Sequence, residues 1–233
     1  MARNTYGLDL GSYEIKVYDK KQDTIWKEKN VLAVQDKKEI IAIGEDAYQM
    51  YEKTPPDIEV AFPMRDGVIS RFNDMQNLLQ NILKKNRHFS RGAEYVIAVP
   101  TDVTEVQKKA FFDLVIHSNA KAREVNIVER SIADAVGLGI DVQNTTGVMI
   151  INFGGETTEL SVLTEGGIVF NRLLKLGGTT LDQEIVNLVR NSHDFLIGSR
   201  TAEILRQQFD VFNGDSETAF SVAGRDLITG LPM

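Results

Sequence analysis

The chain has 233 residues, of which 42% are hydrophobic and 25% charged, so it can bury a substantial core as one large domain or two small ones. Its net charge of −7 argues against a general nucleic-acid-binding role, and the absence of cysteine excludes a disulfide framework, a thiol nucleophile and a thiolate metal site. The sequence shows neither a signal segment nor an apolar run long enough to span a membrane, and we therefore expect a cytoplasmic protein that does not bind nucleic acid.

The first predicted element is a hairpin at residues 6–18. An apolar strand leads to a tip at Gly11 and Ser12, and a strand rich in β-forming residues follows it. Glycine leaves no Cβ in the way and allows φ > 0, so backbone N–H groups at such a tip can turn toward an anion. Taken alone, one such motif is more often an ordinary glycine-rich turn than a phosphate loop.

The next part of the chain combines short strands with amphipathic helices. Strands are predicted at 25–34 and 39–43, a short helix at 45–53 and a turn at 63–69. The helix after this turn carries one apolar stripe that is typical of core packing, formed by Met75, Leu78, Leu79, Ile82 and Leu83. The basic segment at 86–91 is expected to form a solvated loop, with a weak membrane-surface contact as the alternative.

A strand-to-helix junction follows at Glu129. The sequence predicts a strand at 95–99, a helix that starts at the capping-box spacing of Thr104 and Gln107, a strand at 125–128 and a helix at 132–138. A carboxylate at such a junction can project into a cleft or cap the following helix, and the residues alone leave both roles open for Glu129.

A second hairpin, at residues 147–163, repeats the plan of the first. The sequence DLGS at 9–12 aligns with NFGG at 152–155, and Thr157 and Thr158 add hydroxyl donors to the second tip. Two similar hairpins far apart in one chain indicate two related halves that face a common cleft. One phosphate-sized anion would then be clamped from both sides.

The last part of the chain contains further predicted elements of both types. Strands are expected at 168–174 and 220–223, and helices beginning near Gly177 and Gly178 and at 201–209. A pair of glycines at a helix N-terminus is a natural site for an anion or a ribose, and Thr180 and Gln183 have capping-box spacing.

Strands and helices alternate with local hairpins along the whole chain, which indicates an α/β fold with mixed sheets. Neither a dinucleotide-binding fingerprint nor a Walker P-loop occurs.

Six segments together resemble the MreB/Mbl family of bacterial rod-shape-determining proteins, within the actin-like nucleotide-binding superfamily. They are GLDLGS at 7–12, PMRDGVI at 63–69, VPTDVTEV at 99–106, GGETTE at 154–159, GSRTAE at 198–203 and GRDLITGLP at 224–232. The resemblance implies an actin-like (ribonuclease H-like) α/β fold of two lobes around a cleft for ATP and Mg²⁺. The first lobe would span residues 1–145 with a small subdomain at 33–75, and the second, at 146–233, would be truncated and incomplete. The resemblance also implies self-assembly into cytoskeletal filaments that govern cell shape at the inner face of the cytoplasmic membrane, with cell-wall elongation proteins as partners.

The same resemblance implies roles for individual residues. Asp9 matches the acid that holds Mg²⁺ through water, Glu129 matches the acid that positions the attacking water, and Thr157 completes the implied catalytic set. Lys16 matches the phosphate-reaching lysine of eukaryotic actin, with a solvated strand lysine as the alternative. The implied nucleotide-binding residues are Gly11, Ser12, Tyr13, Lys16, Gly154, Gly155, Glu156, Thr157, Thr158 and, on the nucleoside side, Gly177, Gly178, Glu203 and Arg206.

Four positions depart from the family pattern. Asn152 stands where the second loop usually has Asp, Glu156 replaces a third Gly, Glu14 replaces an Asn, and Arg130 replaces the Pro after the catalytic Glu. A Mg²⁺-organising carboxylate is therefore missing, and an extra carboxylate ~5 Å from a phosphate charge would cost about 3 kcal/mol at an effective dielectric of ~20. Arg130 would either disturb the junction or supply a phosphate contact. Restoring Asp at Asn152 and Gly at Glu156 is expected to strengthen nucleotide binding.

Together these features favour an MreB-like filament protein that binds ATP and hydrolyses it weakly or slowly. The departures support a second hypothesis, a degenerate actin-like scaffold or binding module that no longer turns over nucleotide. A phosphotransferase of the same fold is less favoured, because no further polar constellation for a second substrate stands out.

Overall fold

The computed structural model describes residues 4–85, 92–165, 167–208 and 219–233, so the predicted basic loop at 86–91 lies outside the described residues. The chain forms two compact units, Met1–Lys175 and Leu176–Met233. Within the described ranges, no helix is both long and apolar enough to cross a membrane. The lobe boundary after residue 145 and the subdomain at 33–75 remain predictions.

The larger unit contains most of the regular structure. Its first elements are β1 (Thr5–Leu10), β2 (Glu14–Asp19), β3 (Thr24–Lys29), β4 (Leu32–Gln35), β5 (Glu39–Ile43), α1 (Glu45–Met50), β6 (Ile58–Ala61), β7 (Met64–Arg65), β8 (Val68–Ile69) and α2 (Phe72–Lys85). It continues with β9 (Glu94–Val99), α3 (Glu105–Ile116), β10 (Glu124–Glu129), α4 (Arg130–Gly137), β11 (Val148–Phe153), β12 (Thr158–Thr164) and β13 (Gly167–Leu174). The smaller unit contains α5 (Gly178–His193), β14 (Phe195–Leu196), α6 (Ser199–Gln208) and β15 (Arg225–Asp226).

A five-stranded mixed sheet forms the centre of the larger unit. Its strand order is β10-β9-β1-β2-β3. β1 and β10 both run parallel to β9, whereas β1–β2 and β2–β3 are antiparallel hairpins. The predicted α/β class with a mixed sheet is therefore confirmed.

The main core lies between this sheet and two helices. Every second residue of β1, β2 and β9 is buried, as expected for strands with one covered face. The predicted stripe of α2 packs into the same cluster, with Met75, Leu78, Leu79 and Ile82 buried and Leu83 partly buried. Phe111, Leu114 and Val115 of α3 complete it. Because its apolar periodicity is local, the stripe of α2 is predicted correctly from sequence. On α3, the same spacing predicts Val106 to point inward, but Val106 is exposed.

Helix α3 begins with the predicted capping box. The Thr104 hydroxyl accepts a hydrogen bond from the Gln107 N–H (3.3 Å), and the Gln107 side-chain oxygen accepts one from the Thr104 N–H (2.8 Å). We expect Thr104→Ala to lower the free energy of unfolding by about 1 kcal/mol, because the first turn loses one of its two caps. Urea denaturation measures this change. Thr146→Ala, at an exposed position between α4 and β11, is the matched control, and equal midpoints for both variants would contradict the cap.

The single strand predicted at 25–34 is wrong, because the structure divides it between two sheets. β3 belongs to the five-stranded sheet, whereas β4 is the centre of a separate sheet of order β5-β4-β6. Asn30, which is fully buried, lies between them. Its N–H donates to the Tyr13 carbonyl (3.0 Å) and its Nδ2 donates to the Gly11 carbonyl (2.7 Å), so the chain breaks where it supports the first hairpin tip.

The smaller unit differs from the sequence prediction in three details. Helix α5 begins at Gly178, so the hydroxyl of Thr180 accepts from the Gly177 N–H (3.4 Å), and the capping box predicted for Thr180 and Gln183 is wrong. Residues 220–223 do not form the predicted strand; the short strand β15 follows at 225–226 and pairs with β14. Helix α6 begins two residues earlier than predicted, and the expected last residue, Phe209, lies outside the described residues.

Candidate functional site

The two glycine hairpins have the same backbone arrangement at their tips. The Gly11 N–H donates to the Glu14 carbonyl (3.2 Å), and the Gly154 N–H donates to the Thr157 carbonyl (2.8 Å). A Cβ on Gly11 would lie 2.8 Å from the Glu14 oxygen, and a Cβ on Gly154 would lie 2.9 Å from the Thr157 oxygen. Neither glycine has a positive φ. Of the two reasons that the sequence suggested, both glycines are therefore required because they lack a Cβ, and neither is required for a left-handed backbone.

This arrangement restricts which groups of each tip can bind an anion. The N–H groups of Gly11 and Gly154 are used inside the tips, so these two glycines shape the loops without directing a donor outward. The role of phosphate donor then passes to the residues that follow, beginning with Ser12 in the first loop and Gly155 in the second. For these residues it remains a prediction.

The repeat extends into the strands on both sides of each tip. Asp9 of β1 is opposite Lys16 of β2, and Asn152 of β11 is opposite Glu159 of β12. These two pairs occupy equivalent positions of the two hairpins. The alignment of DLGS with NFGG, made from sequence alone, therefore corresponds to a structural equivalence.

The two tips are in direct contact. A Cβ on Gly155 would lie only 2.6 Å from the Tyr13 Cβ. Tyr13 itself is held by Lys29, whose ammonium group donates to the Tyr13 hydroxyl and lies 3.5 Å from the ring centroid. The predicted convergence of the loops is thus present within the larger unit.

A third turn, which was not predicted to belong to the site, joins both tips. The Gly67 N–H donates to the Ser12 hydroxyl (3.3 Å), and the Asp66 N–H donates to a Glu156 carboxylate oxygen (2.7 Å). Asp66 and Gly67 both have positive φ, of 52° and 81°, as a two-residue type I′ hairpin turn between β7 and β8 requires. The Asp-Gly pair is the sequence signal that could have identified this turn.

Both extra carboxylates have partners of their own. Glu156 binds the Asp66 N–H, as described above, and Glu14 has a carboxylate oxygen 3.9 Å from the Lys27 ammonium group on β3. Asp66 in turn binds the Lys175 ammonium group (2.5 Å). Glu156 therefore links the second tip to the β7–β8 turn, whereas Glu14 forms a long ion pair with an exposed lysine.

Asp9 is paired with two cations. Its Oδ2 lies 3.2 Å from the Lys16 ammonium nitrogen and its Oδ1 lies 3.4 Å from Nη2 of Arg130. The Arg130 side chain is only 12% exposed. Lys16, whose side chain is 44% exposed, forms an ion pair with Asp9, and its phosphate-reaching role remains a prediction.

Asp134 is a site residue that the sequence did not reveal. It lies on α4 and accepts a hydrogen bond from the Asn152 side chain (2.6 Å). Burial raises the pKa of the Asp134 carboxyl, against the opposing effects of this hydrogen bond and of the Arg130 charge, while the charges of Asp9 and Glu159 raise it further. No local pattern marks Asp134, because its partner is on a different element 18 residues away.

The raised pKa of Asp134 predicts a pH dependence of stability. A carboxyl whose folded-state pKa exceeds its ordinary 3.8 binds its proton more tightly when folded, so its contribution to stability declines as pH rises above that value. As pH rises above 3.8, we expect the unfolding free energy of the native chain to fall relative to that of Asp134→Asn. Urea titrations at several pH values measure this difference.

Asp141 provides the control, because its pKa is shifted in the opposite direction to that of Asp134. Hydrogen bonds from the Asn144 side chain and the Gln143 N–H lower its pKa, so Asp141→Asn should lose relative stability as pH rises. If the unfolding free energies of the two variants changed with pH in the same way, both assigned pKa shifts would be contradicted.

The residues present do not fit the Mg²⁺ site that the family resemblance implies. Mg²⁺ is held in proteins mainly by carboxylates, waters and phosphate oxygens. Both oxygens of Asp9 are paired with protein cations, and the second expected carboxylate is the amide of Asn152, which donates to Asp134. The arrangement therefore supports no reaction step through such an ion.

Glu129 lies at the junction next to Arg130. It is the last residue of β10 and precedes α4, but its side chain makes no capping hydrogen bond, so the capping alternative is wrong. It lines a hollow with Lys108, Lys109 and Ile132. The next residue, Arg130, is the one from this junction that contacts Asp9. The role of Glu129 in positioning water remains a prediction.

The residues that follow the glycines of the second tip are buried and anchor this hairpin. Thr157 and Thr158 are buried, and so is Glu159, which is 3% exposed. One Glu159 oxygen accepts from the Thr101 N–H (2.9 Å) and from the Asn171 side chain (2.8 Å). The second hairpin is thereby fixed to the end of β9.

The predicted nucleoside residues lie in the smaller unit. Arg206 binds Asp182 through two nitrogens, at 2.6 Å and 3.3 Å, which brings α6 against α5. Glu203 is buried and accepts a hydrogen bond from the Gln207 side chain (3.1 Å). Gly177 and Gly178 are buried at the start of α5. Their nucleoside-binding role remains a prediction.

Comparisons with known proteins agree with this geometry. The family model described as MreB/Mbl protein matches residues 3–233. The cell shape-determining protein MreB of Escherichia coli K12 is 34% identical over 241 residues, which cover 100% of this chain and 69% of that protein. The Mbl protein of Bacillus cereus is 32% identical over 97% of this chain and 68% of that protein.

Solved structures of related proteins also match this chain. The ADP-bound structure of MreB5 of Spiroplasma citri matches with a TM-score of 0.91 and 31% identity, covering 100% of this chain and 70% of that chain. The MamK double helical filament matches with a TM-score of 0.78 at 20% identity, which supports the actin-like fold alone. By its family model, its curated relatives and its fold, this chain belongs to the MreB/Mbl family of actin-like cell shape-determining proteins.

Proposed function

We propose that this chain is a cytoskeletal protein that binds ATP between its two hairpin tips and assembles with further copies of itself into filaments. One observation carries this proposal. Two equivalent glycine tips contact each other, and a single turn, Asp66-Gly67, binds a side chain from each. Two loops that converge in this way can enclose a chain of phosphates from both sides.

Charge and family membership support the choice of nucleotide. Lys16 and Arg130 place two positive charges beside the tips, and Ser12 and Thr157 add hydroxyl groups. Guanidinium, ammonium and hydroxyl groups are the usual protein ligands of phosphate oxygens. MreB5 of Spiroplasma citri, which is 31% identical, has been solved with ADP and with AMPPNP. Mg²⁺, which the resemblance implies, would have to compete with Lys16 and Arg130 for Asp9.

Hydrolysis by this site is proposed to be slow. Phosphoryl transfer to water depends mainly on positioning the water and neutralising charge on the phosphates. Lys16 and Arg130 can stabilise that charge, but the second carboxylate expected at the site is replaced by Asn152, whose amide donates to Asp134. The same observation favours the second candidate, a scaffold that binds partners without turning nucleotide over.

A titration of the full chain with ATP, combined with a phosphate-release assay, tests the proposal. We expect a micromolar dissociation constant and release slower than about one phosphate per minute, well below the usual catalytic rates of roughly 1–100 per second. Binding without release would favour the scaffold. A folded sample that binds no nucleotide would overturn the proposed function. Sedimentation with and without ATP tests assembly.

Cellular placement is proposed from family membership. Relatives of this chain are named cell shape-determining proteins, and we propose action at the inner face of the cytoplasmic membrane with cell-wall elongation proteins. Localisation of a fluorescent fusion in cells, at the periphery or spread through the cytoplasm, tests this placement.

A further inference from the structure

We propose that Arg130 takes the place of a metal ion, so that this chain binds nucleotide without Mg²⁺. This inference rests on the proposed nucleotide-binding function and concerns its cofactor requirement. It starts from the mismatch between the expected metal site and the residues around Asp9.

The positions where a divalent cation would be organised are occupied by protein charges. Each oxygen of Asp9 has its own cation, Lys16 at 3.2 Å and Arg130 at 3.4 Å. These two side chains together carry two positive charges, the same charge as one Mg²⁺ ion. A metal ion would have to displace them or add its charge to theirs.

The second carboxylate that would favour a metal is absent from its strand. Asn152 carries no charge, and its amide donates to Asp134 at 2.6 Å. Asp134 is therefore already engaged, and the charge of Arg130 acts on it as well as on Asp9. The ion pair of Arg130 is with Asp9, and its charge also opposes the rise that burial causes in the pKa of Asp134.

Arg130 is suited to bind phosphate from this position. It begins helix α4 immediately after β10, and its side chain is only 12% exposed, which limits its freedom. A guanidinium group stays protonated at all relevant pH values and offers five N–H donors in a planar fork. It can therefore contact Asp9 with one nitrogen and donate to phosphate oxygens with others.

Binding of a metal without nucleotide gives the first test. Mn²⁺, which reports its own binding by electron paramagnetic resonance, is titrated into the full chain, into Arg130→Gln and into Arg130→Lys. We expect no binding below millimolar Mn²⁺ for the native chain and for Arg130→Lys, and at least about tenfold tighter binding for Arg130→Gln, because Asp9 loses one of its two cations and one of its oxygens is left unpaired. Arg123→Gln, at an exposed position before β10, is the matched control and should behave as the native chain.

Nucleotide affinity gives the second test. ATP is titrated into the same four proteins in excess EDTA and again in excess Mg²⁺. We expect the two dissociation constants of the native chain to agree within about threefold, and those of Arg130→Gln to differ by about tenfold or more in favour of Mg²⁺.

The outcomes separate this inference from the proposed function. Tight Mn²⁺ binding by the native chain, no gain in Arg130→Gln, or ATP binding that requires Mg²⁺ would each overturn the metal-free site. ATP binding that requires Mg²⁺ would leave the proposed nucleotide function intact. Failure of ATP to bind under either condition would overturn the proposed function and this inference together.

Discussion

Replacing Gly155 by alanine is expected to weaken ATP binding by about 10- to 100-fold. The added Cβ would lie 2.6 Å from the Tyr13 Cβ, whereas carbon atoms in contact are normally ~3.5–4 Å apart. A Cβ cannot be moved by changing a rotamer, so the backbone of one tip must shift by about 1 Å. Displacements of this size in a preorganised site can cost two orders of magnitude. Isothermal titration with ATP measures the change.

Gly137 provides a matched glycine-to-alanine control. It lies in α4, and among the described residues no heavy atom outside the helix backbone would come within 4 Å of an added Cβ. Gly137→Ala should leave ATP affinity unchanged and raise stability by about 0.5–1 kcal/mol, because alanine is the better helix former. In a Tyr13→Gly background, which lacks the opposing Cβ, Gly155→Ala should have a smaller effect. A folded Gly155→Ala protein with native affinity would show that the contact between the tips is not needed for binding.

Replacing Asn152 by aspartate is expected to destabilise the protein by about 2 kcal/mol at neutral pH. Nδ2 of Asn152 donates to the Asp134 carboxylate at 2.6 Å, and a second carboxylate there would replace a donor by a like charge. The sequence alone predicts only that aspartate at this position strengthens nucleotide binding; the contact with Asp134 adds this expected loss of stability. The penalty should shrink as pH is lowered, because the two carboxylates can then share a proton. Urea denaturation at neutral and acidic pH measures it.

The exchange variant tests the pairing itself. Asn152→Asp combined with Asp134→Asn restores one donor and one acceptor, so it should recover most of the lost stability. Asn126→Asp is the matched control: its amide also donates to a carboxylate, Glu124 at 3.0 Å, but on an exposed strand face. Its effect should stay within about 0.5 kcal/mol. Equal losses for Asn126→Asp and Asn152→Asp would rule out a special role for Asp134.

Glu156→Gly, the other restoration suggested by the sequence, also has a different expected outcome. Glu156 accepts the Asp66 N–H at 2.7 Å and so links the second tip to the β7–β8 turn. Glycine at this position would remove that link and add backbone freedom to the loop. We therefore expect Glu156→Gly to weaken ATP binding, and Glu156→Gln, which keeps an acceptor oxygen, to preserve it. Stronger binding by Glu156→Gly would favour the charge repulsion expected from the sequence.

The sequence by itself determined those structural features that depend only on residue spacing within one segment. The apolar stripe of α2, the Thr104 capping box and the alternating strands all follow from spacing within one segment. The repeat of the first hairpin in the second was also visible, because both tips need glycine where a Cβ would meet a backbone oxygen. The Asp66-Gly67 turn had an equally local signal, but its contacts with both tips did not.

Only the tertiary structure decided which side chains meet at the site. Arg130, the first residue of α4, contacts Asp9, whereas Glu129, the last residue of β10, lines a hollow with Lys108. Asp134 and Glu156 obtain their partners from elements that are distant in the chain. Such pairings arise when strands and helices pack, and no spacing within a segment encodes them. For this reason the family and the loops could be predicted from the sequence, whereas the charges that surround Asp9 required the fold.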